Sequence, residues 1–368
     1  MEKLKSIGKW AIITINVMIL VVFVISAYSD RISPNFSVFF SYLGMIFPFL
    51  FAATIFWLIV LLIARKWKWS IAYALTILIC WGAISTYFPF HFRTKNVPND
   101  CVKLLTYNVM KFEHEKAHSK NKPNQILKYI ANSKADIVCI QEYAAMSNGN
   151  HLTENDIKNA LKSYPHSKIL KLKQSKKKEI VGMAVFSKFP ILSFEEIPFE
   201  SVYNGAFIVE LDINGKRTTL INNHLESNKL SMEERAEYYG LTKEFDSQKF
   251  DDLTTKITKR LTPAFKERAE QASIISEYIK NNMNPYIVVC GDFNDTPISY
   301  SRHKIKGNLR DAFVDTGRGL GISYNSHRFL FRIDYILHSK NIKAYNCTVD
   351  KSIRNSDHYP VWTYLQLK

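Results

Sequence analysis

Six short polar segments hold the residue types that could do chemistry: Tyr107-Asn108, Gln141-Glu142, Asn222-Asn223-His224, Gly291-Asp292-Phe293-Asn294, Arg332-Ile333-Asp334-Tyr335 and Ser356-Asp357-His358. Asn108, Glu142, Asp292, Asn294 and Asp357 are hard oxygen donors that suit Mg²⁺ or Mn²⁺, whereas Cys and His clusters would suit zinc. Histidine exchanges protons near neutral pH, and does so reliably when a carboxylate fixes its ring. Asp334 is the candidate to orient His358. Hydrolysis of a phosphodiester needs a cation for the phosphate oxygens, an activated water and help for the leaving oxygen. Asp292 and Asn294 are two apart, so on extended backbone they face the same way, one for the attacking water and one for the same oxygen or the phosphate. Each segment alone has a plain reading as turn chemistry or as the exposed end of a strand. All six in order call for a common cause.

The elements that must position these residues are short apolar runs. Leu104-Leu105 leads into Asn108, Ile137–Ile140 into Glu142, Leu220-Ile221 into His224 and Ile287–Cys290 into Asp292. Runs of that length and composition read as buried strands. In open α/β sheets ligand groups collect at the carboxyl ends of strands, so the six segments are expected along one sheet edge. Helical spacing marks Asn124–Ser133 and Lys266–Asn281, and Gly182–Ile191 reads as a strand stopped by Pro190. Alternation of helix and strand from about residue 100 marks an α/β domain. Residues 226–265, highly charged and helix-compatible, read as an inserted helical excursion on the surface.

Before the motifs lie three charge-free apolar stretches, Ala11–Ser29, Ile32–Ala64 and Trp69–Phe92, each long enough to cross a bilayer. The second is over-long and contains Gly44 and Pro48, which predicts a tilt, a kink or an interfacial portion. The first could be a cleaved signal peptide, but two further stretches follow it directly. Lys3, Lys5 and Lys9, with the Arg65-Lys66-Trp67-Lys68 loop, mark the cytoplasmic side. Three crossings then place everything after about residue 95 outside the cytoplasm, periplasmic or extracellular. The expected organisation is a membrane anchor at 1–95 with about three transmembrane helices, and a catalytic domain at 96–368. No Lys, Arg, Asp or Glu lies inside the spans, which argues for an anchor rather than a transport path.

The formal net charge is +16, with nine Lys/Arg against two Asp/Glu in residues 1–95. A basic remainder suits an anionic substrate or an anionic membrane surface without choosing between them. Five cysteines include no C-x-x-C pair and no zinc spacing; Cys80, Cys139 and Cys290 read as small buried hydrophobes, while the state of Cys101 and Cys347 stays open. A basic run, Lys171, Lys173, Lys176, Lys177 and Lys178, reads as a substrate-binding loop that contacts phosphate or membrane, or as a solvated hairpin tip.

Over residues 101–368 the pattern resembles the endonuclease/exonuclease/phosphatase superfamily of deoxyribonuclease-I-like fold. The motifs are Leu-Thr-Tyr-Asn-Val at 105–109, Ile-Gln-Glu at 140–142, Gly-Asp-Phe-Asn at 291–294, Arg-Ile-Asp-Tyr-Ile at 332–336 and Ser-Asp-His-Tyr-Pro-Val at 356–361. The resemblance implies a four-layer sandwich, two mixed β-sheets face to face with helices outside. It also implies Glu142 as the main metal ligand, aided by Asn108 and completed by Asp357, with His224 on the scissile phosphate. Asp292 would align the water, Asn294 would assist it, and Asp334 would orient the catalytic His358. Some relatives pair the first histidine with a carboxylate; Glu210 is the candidate here. The expected reaction is divalent-metal-dependent phosphoester hydrolysis, first as a nuclease, alternatively on a phospholipid, phosphoinositide or sphingomyelin headgroup at the membrane. No protein partner is expected.

Overall fold

The computed structural model describes residues 2–113, 123–146, 152–174, 179–229, 232–241, 246–326 and 329–368. The chain opens with five helices: α1 (Glu2–Ala27), α2 (Phe39–Met45), α3 (Phe47–Ile63), α4 (Trp67–Ile79) and α5 (Trp81–Tyr87). Within α1, Trp10–Ala27 is apolar and long enough to cross a membrane, with mean hydropathy 2.5. The second and third apolar stretches are bent pairs, α2 to α3 by 61° and α4 to α5 by 64°. Pro48 therefore sits in the first turn of a new helix, where its missing N–H costs nothing, rather than kinking a continuous one. Tyr28 Oη donates to Ile79 O, and the Phe23 and Phe47 rings stack 5.7 Å apart. The end of α1, the start of α3 and the end of α4 thus lie together at one end of the bundle.

After residue 100 the elements alternate: β1 (Val102–Asn108), α6 (Gln125–Asn132), β2 (Ile137–Met146), α7 (Glu154–Ala160), β3 (His166–Gln174), β4 (Glu179–Ser187), β5 (Ile191–Ile197), β6 (Gly205–Ile213) and β7 (Lys216–His224). Then come α8 (Met232–Leu241), α9 (Ser247–Asn281), β8 (Ile287–Asp292), α10 (Tyr300–Lys306), β9 (Arg310–Asp311), α11 (Ala312–Thr316), β10 (Tyr324–Ser326), β11 (Phe329–Phe331), β12 (Asp334–His338), β13 (Ile342–Val349) and β14 (Val361–Leu367). One sheet runs β13-β14-β1-β2-β4-β3 and the other β5-β6-β7-β8-β12-β9. Pairs β1/β2 and β7/β8 are parallel and the other pairs in both sheets antiparallel, so both sheets are mixed.

Side-chain alternation builds the layers. Leu104, Leu220 and Val288 pack between the sheets, whereas their neighbours Leu105, Ile221 and Val289 pack outward beneath helices. Helices α6 and α7 cover one outer face and α9 and α10 the other, which makes the four-layer sandwich. Burial on both faces explains why these strands read as unbroken apolar runs. A polar link crosses the core: Gln141 Nε2 donates to Asn222 Oδ1 at 2.6 Å, and Asn222 Nδ2 donates to the carbonyls of Ile140 and Ala184.

Two boundaries differ from the sequence expectation. The strand read as Gly182–Ile191 ends at Ser187, and Ile191 opens β5 after the turn at Pro190. Helix α9 is a single 35-residue element that carries Pro263 inside it, so half of the 226–265 excursion continues directly into the expected helix 266–281. That excursion is not all surface: Leu253, Leu261, Ala264 and Phe265 are buried. All five cysteines are free thiols.

Candidate active site

The catalytic-type side chains gather at one edge of the paired sheets. β1, β7 and β8 end on Asn108, His224 and Asp292; β12 runs the other way and begins on Asp334, and His358 precedes β14. The parallel register sets His224 opposite Asp292, and the antiparallel register sets Asp334 opposite Asp292. Gly291 makes this approach possible. Its φ is +137°, and a Cβ there would lie 1.9 Å from Asn223 O.

Asp334 and His358 form a tight pair, with Asp334 Oδ2 and His358 Nδ1 2.8 Å apart. The far ring nitrogen, His358 Nε2, lies 3.5 Å from Asp292 Oδ2, and His224 Nε2 lies 3.7 Å from the same oxygen. Asp292, Asp334 and His358 are all buried. Two contacts hold Asp334 and His358 in place. Ser323 Oγ accepts from the Ile333 and Asp334 N–H groups, and Ser356 Oγ accepts from the His358 N–H while donating to Asn108 O. The Tyr324 ring meets the His358 ring edge-on at 4.9 Å.

Burial alone would lower the His358 pKa, but the Asp334 and Asp292 carboxylates outweigh it and push the value to about 10. Burial lifts the Asp292 carboxyl to about 6 against the pull of His358. His224 is lowered, chiefly by burial, so it stays neutral at pH 7. These directions separate the roles: a charged imidazolium at 358, a carboxylate at 292 that can take a proton, and a neutral imidazole at 224.

Glu142 sits across the cavity at a bulge in β2, in left-handed backbone at φ 51°. Its carboxyl is raised by burial and by the Asp357 charge nearby. Asn108 bridges the two halves by donating from Nδ2 to Glu142 Oε1 and to Asp292 Oδ2, 3.1 Å each. Its oxygen accepts from the Met110 N–H. As arranged, Asn108 turns its amide N–H group to the two carboxylates and its oxygen to Met110.

Two expectations of local geometry need correction, the extended backbone at Asn294 and the pairing of Glu210 with His224. Asn294 does not extend β8: it lies in left-handed backbone at φ 50°, and its N–H closes a turn onto Asp292 Oδ1 at 2.8 Å. It reaches the cavity from that turn, with Nδ2 donating to Leu225 O. Glu210 is remote, engaged by Arg217 and Thr219. Among the described residues no carboxylate bonds His224 Nδ1, which is buried without a partner among them. Lys171 is exposed on β3 and Lys173 lies on the same strand, while Lys176, Lys177 and Lys178 fall outside the described residues. Arg268 carried no sequence signal, since it is one charge among many on α9. It is buried, and it pins the loop after β7 by donating to Glu226 O, to Asn228 Oδ1 and to Asp295 Oδ2.

Residues 105–358 match the model of the endonuclease/exonuclease/phosphatase family. The chain belongs to that family. Its members are hydrolases acting on phosphoesters. A second family model, described only as a domain of unknown function, matches residues 9–87. Among solved structures, a family protein from Beutenbergia cavernae is similar at a TM-score of 0.51 and 16% identity, over 73% of this chain and 72% of that one. The human Nocturnin catalytic domain with bound sulfate anion has a TM-score of 0.51 and 16% identity, over 73% of this chain and 94% of that one. At such identity the likeness is one of fold. No curated protein matches the chain by sequence.

Proposed function

We propose that this chain hydrolyses a phosphoester by in-line attack of water, assisted by Mg²⁺ or Mn²⁺ held on the Glu142 side of the site. The observation that carries this reading is the line Asp334–His358–Asp292 facing Glu142 and Asp357 across one cavity. The donor set fits a hard divalent ion. Glu142 and Asp357 offer carboxylate oxygens, and the like charge that raises Glu142 is what a cation relieves. The ligand atoms of Asp292, Asp334 and His358 also lie within 4.8 Å of one another, but His358 spends Nδ1 on Asp334 and is held protonated. We therefore assign the ion to Glu142 and Asp357. When bound, it would neutralise phosphate oxygens and polarise the phosphorus centre.

The chain's own residues account for the proton movements. Asp292 takes a proton from the attacking water as its oxygen bonds to phosphorus. His358, fixed by Asp334, gives a proton to the oxygen that leaves. Neutral His224 donates a hydrogen bond to the phosphate. Asn294 and Asn108 hold Asp292 in place through its two oxygens.

The same reading includes a membrane location. Large apolar side chains stay exposed around the bundle, among them Ile12, Ile15, Phe49, Phe56, Ile71 and Leu75, a surface expected to be covered by lipid. Since the end of α1, the start of α3 and the end of α4 share one end of the bundle, the Arg65-Lys66 connection between α3 and α4 falls at the other, and by the positive-inside tendency our reading takes three spans and an extracytoplasmic domain. Chelation tests the metal. EDTA is expected to remove phosphoester hydrolysis by the full chain and added Mg²⁺ or Mn²⁺ to restore it; turnover that survives chelation would contradict this assignment.

A further inference from the structure

The cavity at the catalytic edge, about 180 Å³, has a polar floor and an apolar wall. The floor is Glu142, His224, Asp292 and His358. The wall is Leu261 and Phe265 from α9, Phe329 and Phe331 from β11, and Met45 from α2. Met45 belongs to the N-terminal helices, not to the sandwich. It lies one residue before the bend into α3, at the end of the bundle where α1 stops.

This placement is built in. Gly44 packs so close to the sandwich that a Cβ would lie 2.2 Å from Ile298 O. Ile298 itself belongs to the apolar cluster of Phe23, Ala27, Phe47 and Tyr87. Tyr42 Oη hydrogen-bonds Thr262 Oγ1 at 2.9 Å, and its ring meets Phe265 edge-on at 5.3 Å. The catalytic cavity thus opens along a wall that continues into the rim of the membrane helices.

We propose that the substrate is a phosphoester lipid, its phosphate at Asp292 and His358 and its acyl part lying along the Met45, Phe265 and Phe331 wall towards the bilayer. The inference rests on the phosphoester-hydrolase reading of the site and adds the substrate class. Charge favours a lipid over a polynucleotide. A nucleic-acid strand is gripped through a row of cations along its backbone. Among the described residues that line the cavity, the basic ones are Lys229 and Arg268, and both are already paired, with Glu226 at 2.8 Å and Asp295 at 3.3 Å. The chemistry balances as in any hydrolysis. The oxygen of water bonds to phosphorus, the bond from phosphorus to the lipid-side or headgroup alcohol breaks, one proton goes to Asp292 and one reaches the leaving oxygen from His358.

The test uses the full chain held in amphipol with Mg²⁺. Soluble dihexanoyl glycerophospholipids with choline, ethanolamine and glycerol headgroups are compared with their deacylated counterparts and with single-stranded DNA. Methyl p-nitrophenyl phosphate serves as the acyl-free reference. We expect kcat/KM for at least one acylated ester to exceed its deacylated partner tenfold or more. Met45→Ser and Phe265→Ser should each cut that ratio severalfold, a readout internal to each protein and so independent of how much of a variant folds. A ratio near one for every headgroup, with the reference ester turned over, overturns the lipid assignment while leaving the hydrolase reading intact. DNA hydrolysed faster than every lipid overturns it in favour of nucleic acid. No turnover of any substrate, the reference included, overturns the hydrolase reading and this inference with it.

Discussion

At the scale of residues, Asp292 sits where two imidazoles and a second carboxylate converge, and its cost to the fold is measurable. Its carboxyl is lifted by burial from the usual 3.8 to about 6. Between those values the folded chain keeps a proton that the unfolded chain has lost, so stability falls as pH rises through that window and the full penalty stands above about 6. Asp292→Asn is therefore expected to melt higher than the parent chain at pH 7.5 in EDTA, with the two melting temperatures converging below about pH 4; equal melting at pH 7.5 would contradict the buried charge. His358 has the opposite sign. Its pKa is raised, so its contribution is whole below about 6.5 and is lost as pH rises towards 10. As the proposed proton donor to the leaving oxygen, it should matter more when that oxygen is basic. His358→Ala should lose about 10²–10⁴-fold in kcat on an alkyl ester and much less on a nitrophenyl ester. Equal losses on both would move the histidine from leaving-group protonation to binding. The identities of these residues were legible in the sequence because each follows or precedes an apolar run; the direction of the Asn108 amide and the turn at Asn294 were not, because hydrogen bonds to Met110 and Asp292 set them.

At the scale of elements, the site depends on how closely β7 and β8 approach. Gly291→Ala would force a Cβ against Asn223 O and a side chain into left-handed backbone, at a cost of about 1–3 kcal/mol from strain alone. The expected result is a lower melting temperature, together with a loss of kcat from the parting of His224 and Asp292. An unchanged kcat would show that the strand spacing is not what sets the geometry. Strands read well from sequence here because burial on both faces makes each one a continuous apolar run, as with Ile287–Cys290. Helix α9 read less well. Its first half is charged and holds Pro263, both marks of a break, yet its inner side buries Leu253, Leu261 and Phe265 and carries the helix through. The bulge that turns Glu142 into the cavity has no sequence signature, since it comes from pairing with β4.

At the scale of the whole molecule, the N-terminal helices and the sandwich share packing. Ile298 lies in the helical cluster, Arg332 donates to Thr86 O at the end of α5, and His303 Nδ1 meets Asp30 Oδ2 at 3.1 Å. Removing residues 1–95 would uncover that apolar surface, and buried area of this kind is worth about 25 cal/mol per Å². The fragment 96–368 is expected to melt lower than the full chain in the same detergent; identical melting would mean the two parts are merely tethered. None of this joint was readable from the sequence, because it pairs residues more than 200 positions apart. The apolar stretches declared themselves by composition, but not what they touch. The central claim is hydrolysis at the Asp292–His358 edge, and its most direct test is the initial rate of nitrophenolate release from methyl p-nitrophenyl phosphate. The full chain with Mg²⁺ is compared with Asp292→Ala, a variant chosen because Asp292 is the proposed acceptor of the water's proton. Steady turnover by the parent chain and a loss of about 10²–10⁴-fold in the variant are expected. Turnover by the variant at the parent's rate, or none by either, would contradict it.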